Sequence, residues 1–226
     1  MLLTTICGLL PASRLKNAFL RRLGHRIARD ARIGPVLIVR SRLQVGSGAR
    51  IGAMNVFRGL RVAEIAEHAE MGQWNWISAA PFLVDNSSSA IAGEFHLGPS
   101  ASLTSRHYVD ASGGVSIGAF ATIAGVRSVF MTHGIDVRDN VLDTAPIIVG
   151  DYAMVGSCTN FVLGATVPAH SVIGMGALVL PGLERTHALY TGVPATFKKE
   201  VPVGEYGTRI IGPVPPRRAG APALVR

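Results

Sequence analysis

The chain has 226 residues, of which 48% are hydrophobic and only 6% aromatic, enough aliphatic material for one extended core. Its formal net charge of +8 sits at the two ends: Arg14 to Arg32 holds seven basic residues and one acid, Ile33 to Phe197 nine and eleven, and Lys198 to Arg226 six and two. A near-neutral body excludes a nucleic-acid groove, which needs a basic stripe interleaved with aromatics.

The opening Met1 to Pro11 is apolar but has no basic stretch before it. No run reaches the roughly 18 apolar residues of a spanning helix, so neither export nor a membrane anchor is expected. Cys7 and Cys158 are too few for a disulfide framework or a structural zinc site, which favours a reducing cytoplasm and predicts no metal.

From Ser13 to Ala28 the apolar residues Leu15, Phe19, Leu23 and Ile27 recur every four positions among Arg14, Lys16, Arg21, Arg22 and Arg26. This predicts an amphipathic helix capped by Ser13 and weakened at Gly24. Its expected role is to plug an open end of the fold, with weak peripheral membrane contact as the other use of such a helix.

The following pattern has period six. From Val149 to Leu180 an apolar residue stands at Val149, Val155, Phe161, Val167, Ile173 and Val179, with a small residue four places later at Ala153, Thr159, Ala165, Ser171 and Ala177. Neither a strand nor a helix alone has that period; a chain wound into a three-sided tube, one short strand and one bend per six residues, does. The register extends back through Ile33, Val45, Ile51, Ile65, Met71, Ile91, Leu97 and Ile117. Its breaks, between Ile51 and Ile65, at Asp85 to Ser89, near Gly113 and from Gly134 to Pro146, predict loops leaving the corners. The predicted organisation is a helical segment at 1–32, a repeat domain at 33–197 with a loop protruding at 134–146, and a basic Pro/Gly-rich arm at 198–226.

The largest break begins at Met131-Thr132-His133-Gly134 and continues through Asp136, Arg138, Asp139 and Asp143. A rigid scaffold holding out a loop with an imidazole at its base is where a site is expected, because histidine takes and gives protons near neutral pH. Asp110 and Asp136 are candidates to orient that ring. His107 occupies a small-residue slot of the repeat and is the second candidate side chain. Trp74 and Trp76 project from one coil and suit either sugar stacking or packing. Cys158 lies in a variable position with nothing nearby to activate a thiol.

With the Thr132-His133 loop, the coils Val155-Gly156-Ser157 and Val172-Ile173-Gly174-Met175-Gly176-Ala177, and the closing Tyr190-Thr191-Gly192-Val193-Pro194-Ala195, the chain resembles the hexapeptide-repeat acyltransferases. Within them it is similar to the maltose, galactoside and exopolysaccharide O-acetyltransferases. The resemblance implies an all-β, left-handed parallel β-helix and a cytoplasmic homotrimer. It also implies transfer of acetyl from acetyl-CoA to a hydroxyl of a carbohydrate or sugar-nucleotide acceptor. By position, His133 matches the general base, Ser157 a backbone oxyanion donor, Met175 and Gly176 the pantetheine groove between subunits, and Lys198 a cation near the CoA phosphates. Leu180-Pro181 replaces the relatives' Thr-Lys, and Thr104 to Tyr108 replaces their Asn-containing acceptor segment. Two other readings share the tube: a γ-carbonic-anhydrase-like metal enzyme, which needs a second histidine close to His133, and a non-catalytic scaffold, which needs no Gly-Val-Pro-Ala closure.

Overall fold

In a computed structural model the described residues are 2–210, 212 and 214. Short strands fall in rotation on three parallel sheets, each receiving every third strand until a hairpin intervenes. The first face runs from Arg26–Ile27 to Thr166–Val167, the second from Arg32–Ile33 to Thr196–Glu200 and the third from Val36–Val39 to Leu178–Val179. Residues of successive coils stand in register, as Arg50, Glu70, Ser102, Thr122, Met154 and Val172 do on the second face.

The core follows the period of six. Ile33, Val45, Ile51, Ile65, Met71, Leu97, Ile117, Val149, Val155, Phe161, Val167, Ile173 and Val179 are buried, as are the small residues Ala153, Thr159, Ala165, Ser171 and Ala177 that let the backbone turn. Phe130 and Phe161 fill two consecutive coils with stacked rings 4.4 Å apart. Ile91 departs from the expected register: it lies in the turn before Glu94–Leu97, and Phe95 and Leu97 point inward instead.

Corners carry their own stacked columns. Three places after the inward residue of the first face the backbone is left-handed at His68, Ser100, Phe120, Tyr152 and His170, and at His187 of the closing coil. Side chains there line the edge, and the rings of Phe120, Tyr152, His170 and His187 stack at 4.8, 5.0 and 4.7 Å. The guanidinium of Arg209 covers Phe120, Tyr152 and Tyr206, fastening the short helix Glu205–Thr208 to that edge.

At the amino end, helix α1 (Leu2–Gly8) lies along Val36–Val39 and helix α2 (Arg14–Arg22) beside Arg26–Ile27. Ser13 caps α2 by accepting from the Lys16 amide at 3.1 Å. The helix stops short of Ala28, because Gly24 takes φ +93° and Ile27 turns inward to pair with Val45. Its orientation also differs from the amphipathic reading. Lys16, Asn17 and Leu20 are the buried residues, whereas Leu15, Phe19 and Leu23 face out. Lys16 is the reason: its Nζ donates to the carbonyls of Gly8 (2.7 Å), Leu10 (2.8 Å), Ile33 (3.2 Å) and Gly34 (2.7 Å), tying both helices to the first coil. Burial pulls this ammonium down to about 8.

The other end closes with a hairpin. Thr196–Glu200 returns antiparallel along Ala188–Thr191, so Lys198 and Lys199 belong to the coil's last sheet and not to a loose arm. Most of the arm expected beyond them falls outside the described residues.

Candidate active site

Two excursions leave the corner between the third and first faces. The first carries helix α3 (Pro81–Asp85); the second is an antiparallel hairpin pairing His133–Asp136 with Val141–Thr144. They touch at the base, where Thr144 Oγ1 donates to Ser87 Oγ at 2.7 Å. His133 is the first residue of the outgoing hairpin strand and remains partly exposed. Its position is thereby fixed by the coil on one side and by hairpin pairing on the other.

Asp110 ends the strand Tyr108–Asp110, one coil earlier on the third face, and its carboxylate is buried. Oδ1 accepts from the Ser112 hydroxyl (2.6 Å) and amide (3.3 Å). Oδ2 accepts from the Thr132 hydroxyl (2.6 Å), the Thr132 amide (3.1 Å) and Nδ1 of His133 (2.8 Å). Thr132 Oγ1 in turn accepts from the Gly113 amide at 2.8 Å. Burial alone would raise the carboxyl, but the hydrogen bonds from Ser112, Thr132 and His133 outweigh it and hold Asp110 below the ordinary carboxylate value.

An ionised carboxylate only accepts, so Nδ1 of His133 carries the proton. In the neutral ring Nε2 is then the basic atom, and it has no partner among the described residues. Sequence reasoning included Asp110 among the candidates to orient the ring. A separation of 23 residues hid the contact, which arises because consecutive coils stack. Asp136 serves otherwise: its carboxylate accepts from the amides of Arg138 (2.8 Å) and Asp139 (3.2 Å) and shapes the hairpin turn.

His107 is placed inside the wall, only 1% exposed. Its Nδ1 accepts from the Ser128 amide at 3.1 Å, so Nε2 donates to Thr104 Oγ1 at 3.0 Å. It is one rung of an internal column. Asn55 Oδ1 accepts from the Asn75 amide at 2.8 Å, Asn75 Oδ1 from the His107 amide at 2.9 Å, and His107 Nδ1 takes the next coil. Burial pulls the ring down to about 4, and neither nitrogen is free to act on a substrate.

Ser157, Met175 and Gly176 lie further along, at the corner between the second and third faces, where Cys158 and Gly176 adopt left-handed backbone. Ser157 Oγ accepts from the Val126 amide at 3.4 Å, and its own amide has no acceptor among the described residues. A Cβ on Gly125 would overlap that hydroxyl, which explains a glycine there. Met175 is 75% exposed, and nothing stands within 4 Å of where a Cβ on Gly176 would be. Lys198 is exposed on the closing hairpin. None of these shares a hydrogen bond or ion pair with His133. Trp74 and Trp76 project outward and, with Leu9, Leu37, Met54 and Val56, line an apolar groove of about 290 Å³. Among the described residues no three His, Cys, Asp or Glu side chains converge on a common point.

No protein-family profile matches this chain, and no curated protein matches it. Solved structures do. The coil is similar to that of a variant of AntD, an N-acyltransferase from Bacillus cereus in complex with dTDP and coenzyme A, at 13% identity over 81% of this chain and 88% of that one, TM-score 0.54. It is similar to a hexapeptide transferase family protein from Anaplasma phagocytophilum, at 18% identity over 76% and 87% of the two chains, TM-score 0.54. The product of the Bacillus cereus BC4754 gene aligns at 14% identity over 78% and 87%, TM-score 0.56. At such identities the likeness is one of fold alone.

Proposed function

We propose that the protein is an acyltransferase: an acetyl-CoA-dependent O-acetyltransferase acting on a carbohydrate hydroxyl, built on a left-handed parallel β-helix and working as a cytoplasmic homotrimer. One observation carries this reading. The buried Asp110 carboxylate holds Nδ1 of His133 at 2.8 Å and leaves Nε2 open at the base of a hairpin. An imidazole oriented through one nitrogen and free at the other is suited to general-base catalysis.

In the reaction His133 Nε2 takes the proton of the acceptor hydroxyl as that oxygen bonds to the thioester carbonyl carbon. The carbonyl electron pair moves onto oxygen, where the Ser157 amide donates a hydrogen bond. When the carbonyl re-forms, the C–S bond breaks and the imidazolium returns its proton to the departing thiolate. The products are an acetyl ester and CoA thiol. Asp110 stays ionised and stabilises the imidazolium. His107 serves in this reading as a structural rung.

The open corner at Met175 and Gly176 suits a pantetheine arm, and Lys198 suits the CoA phosphates. That AntD, an N-acyltransferase, is in complex with dTDP and coenzyme A supports a coenzyme A thioester as donor and a nucleotide on the acceptor side. The trimer rests on an apolar column outside the third face, where Leu37, Val56, Trp76, Tyr108 and Val129 align coil by coil. A neighbouring protomer covering that column would border the His133 hairpin and bring its own Ser157 corner to it.

The test is release of CoA thiol from acetyl-CoA with a panel of sugars and sugar nucleotides. His133→Ala is expected to lower turnover by about two to four orders of magnitude with CoA affinity retained. Full turnover in that variant, or no release with any hydroxyl acceptor, would refute the reading.

A further inference from the structure

The amino-terminal helices turn their apolar residues to solvent. In α1 and the turn after it Leu2 (73% exposed), Leu3, Ile6 (52%), Leu9 and Leu10 point out, and in and after α2 so do Leu15 (67%), Phe19 and Leu23. The arrangement is held, because Lys16 and Leu20 are fully buried beneath it and Lys16 binds four carbonyls from both sides. A large apolar surface on a folded end of the molecule marks an interaction site.

Charge says what covers it. Arg14, Arg21, Arg22, Arg26, Arg29 and Arg32 are all exposed around the same helices and the first coil; the segment from Arg14 to Arg32 holds one acid, Asp30, and Glu64 and Glu67 share a cleft with Arg26 alone of the six. Arg14, Arg21 and Arg29 line one cleft of about 360 Å³ with Asp30. A second copy meeting this face would bring two unbalanced clusters of arginine together, whereas a sheet of lipid phosphates neutralises them. Helix α1 has seven residues, about 10 Å of helix, and among the described residues no helix is long and apolar enough to cross a membrane. Helices of this length and facing suit lying along a surface.

We propose that this end of the coil docks on an anionic lipid bilayer, with Leu2, Leu3 and Ile6 entering the boundary between headgroups and acyl chains and the arginines on lipid phosphates. The proposal does not depend on acyl transfer, and its test reads binding alone. The full chain is sedimented with phosphatidylcholine vesicles, with and without phosphatidylglycerol. Retention is expected on the phosphatidylglycerol vesicles only and is lost as salt is raised. Leu3→Ser with Ile6→Ser should weaken it by about tenfold or more. Arg14→Gln and Arg29→Gln should each weaken it about fivefold. Because these side chains face solvent, the thermal midpoint should not move, which separates lost docking from lost folding. Equal binding to both vesicle types, or to neither, overturns the proposal. So does a Leu3→Ser, Ile6→Ser variant that changes sedimentation without lipid while holding vesicles as before, since the face would then pair copies of the chain.

Discussion

At the scale of single residues, the chemistry turns on which nitrogen of His133 is free. Asp110→Asn keeps the side chain's size but removes the obligate acceptor, so the amide can face Nδ1 with a donor and favour the wrong tautomer. Turnover is expected to fall by about two to four orders of magnitude while KM for acetyl-CoA stays within a few-fold, a split that steady-state kinetics reads directly. His107 makes a prediction of another kind. The folded protein keeps this ring neutral down to about pH 4, whereas the unfolded chain takes up its proton at about 6.5. As pH falls from 6.5 to 4 the unfolded state therefore binds the additional proton, and stability drops by up to about 3 kcal/mol on this account. Above 6.5 the contribution is constant. His107→Asn, which repeats the Asn55 and Asn75 rungs, should flatten that slope in denaturant titrations across the interval.

Elements here gain stability from the coil next to them. Helix α2 is short and carries a glycine two residues past its end, yet it is anchored because Lys16 donates to four carbonyls of the preceding turn and the first coil. Lys16→Met fills the same volume and leaves those acceptors unpaired, so a loss of about 2 to 4 kcal/mol is expected in chemical unfolding, with α1 released first in amide exchange. The helix was legible as a helix, with its Ser13 cap. Its facing was not, because the spacing of Leu15, Phe19 and Leu23 measures amphipathicity but not which side meets the protein. The hairpin shows the same division. Its span was visible as a break in the period of six, but its pairing of His133 with Thr144 and its brace on Ser87 depend on a corner shared with α3.

For the whole molecule the decisive quantity is the outer column of the third face. Leu37, Val56, Trp76, Tyr108 and Val129 give a continuous apolar strip that crosses the strand carrying Asp110, and in the proposed trimer a neighbour covers it. Trp76→Glu together with Tyr108→Glu should leave the core untouched, yield monomers in sedimentation velocity and abolish thiol release; an active monomer would refute the shared site.

The period of six was sufficient to fix the coil and the inward positions of the runs it covers, because each inward position must be apolar and each turn small; Ile38, Phe57, Ile77, Val109 and Phe130 of the third face lay where the count is broken. Ile91 was misplaced because a turn interrupts the count. What the one-dimensional pattern could not decide was contact between coils. The Asp110–His133 pair, the stacked rings from Phe120 to His187 and the Asn55, Asn75 and His107 rungs each join neighbours 17 to 32 positions apart, one coil with or without an excursion. Stacking brings them together only once the lengths of the excursions have set which coil lies on which, and that is a property of the folded chain.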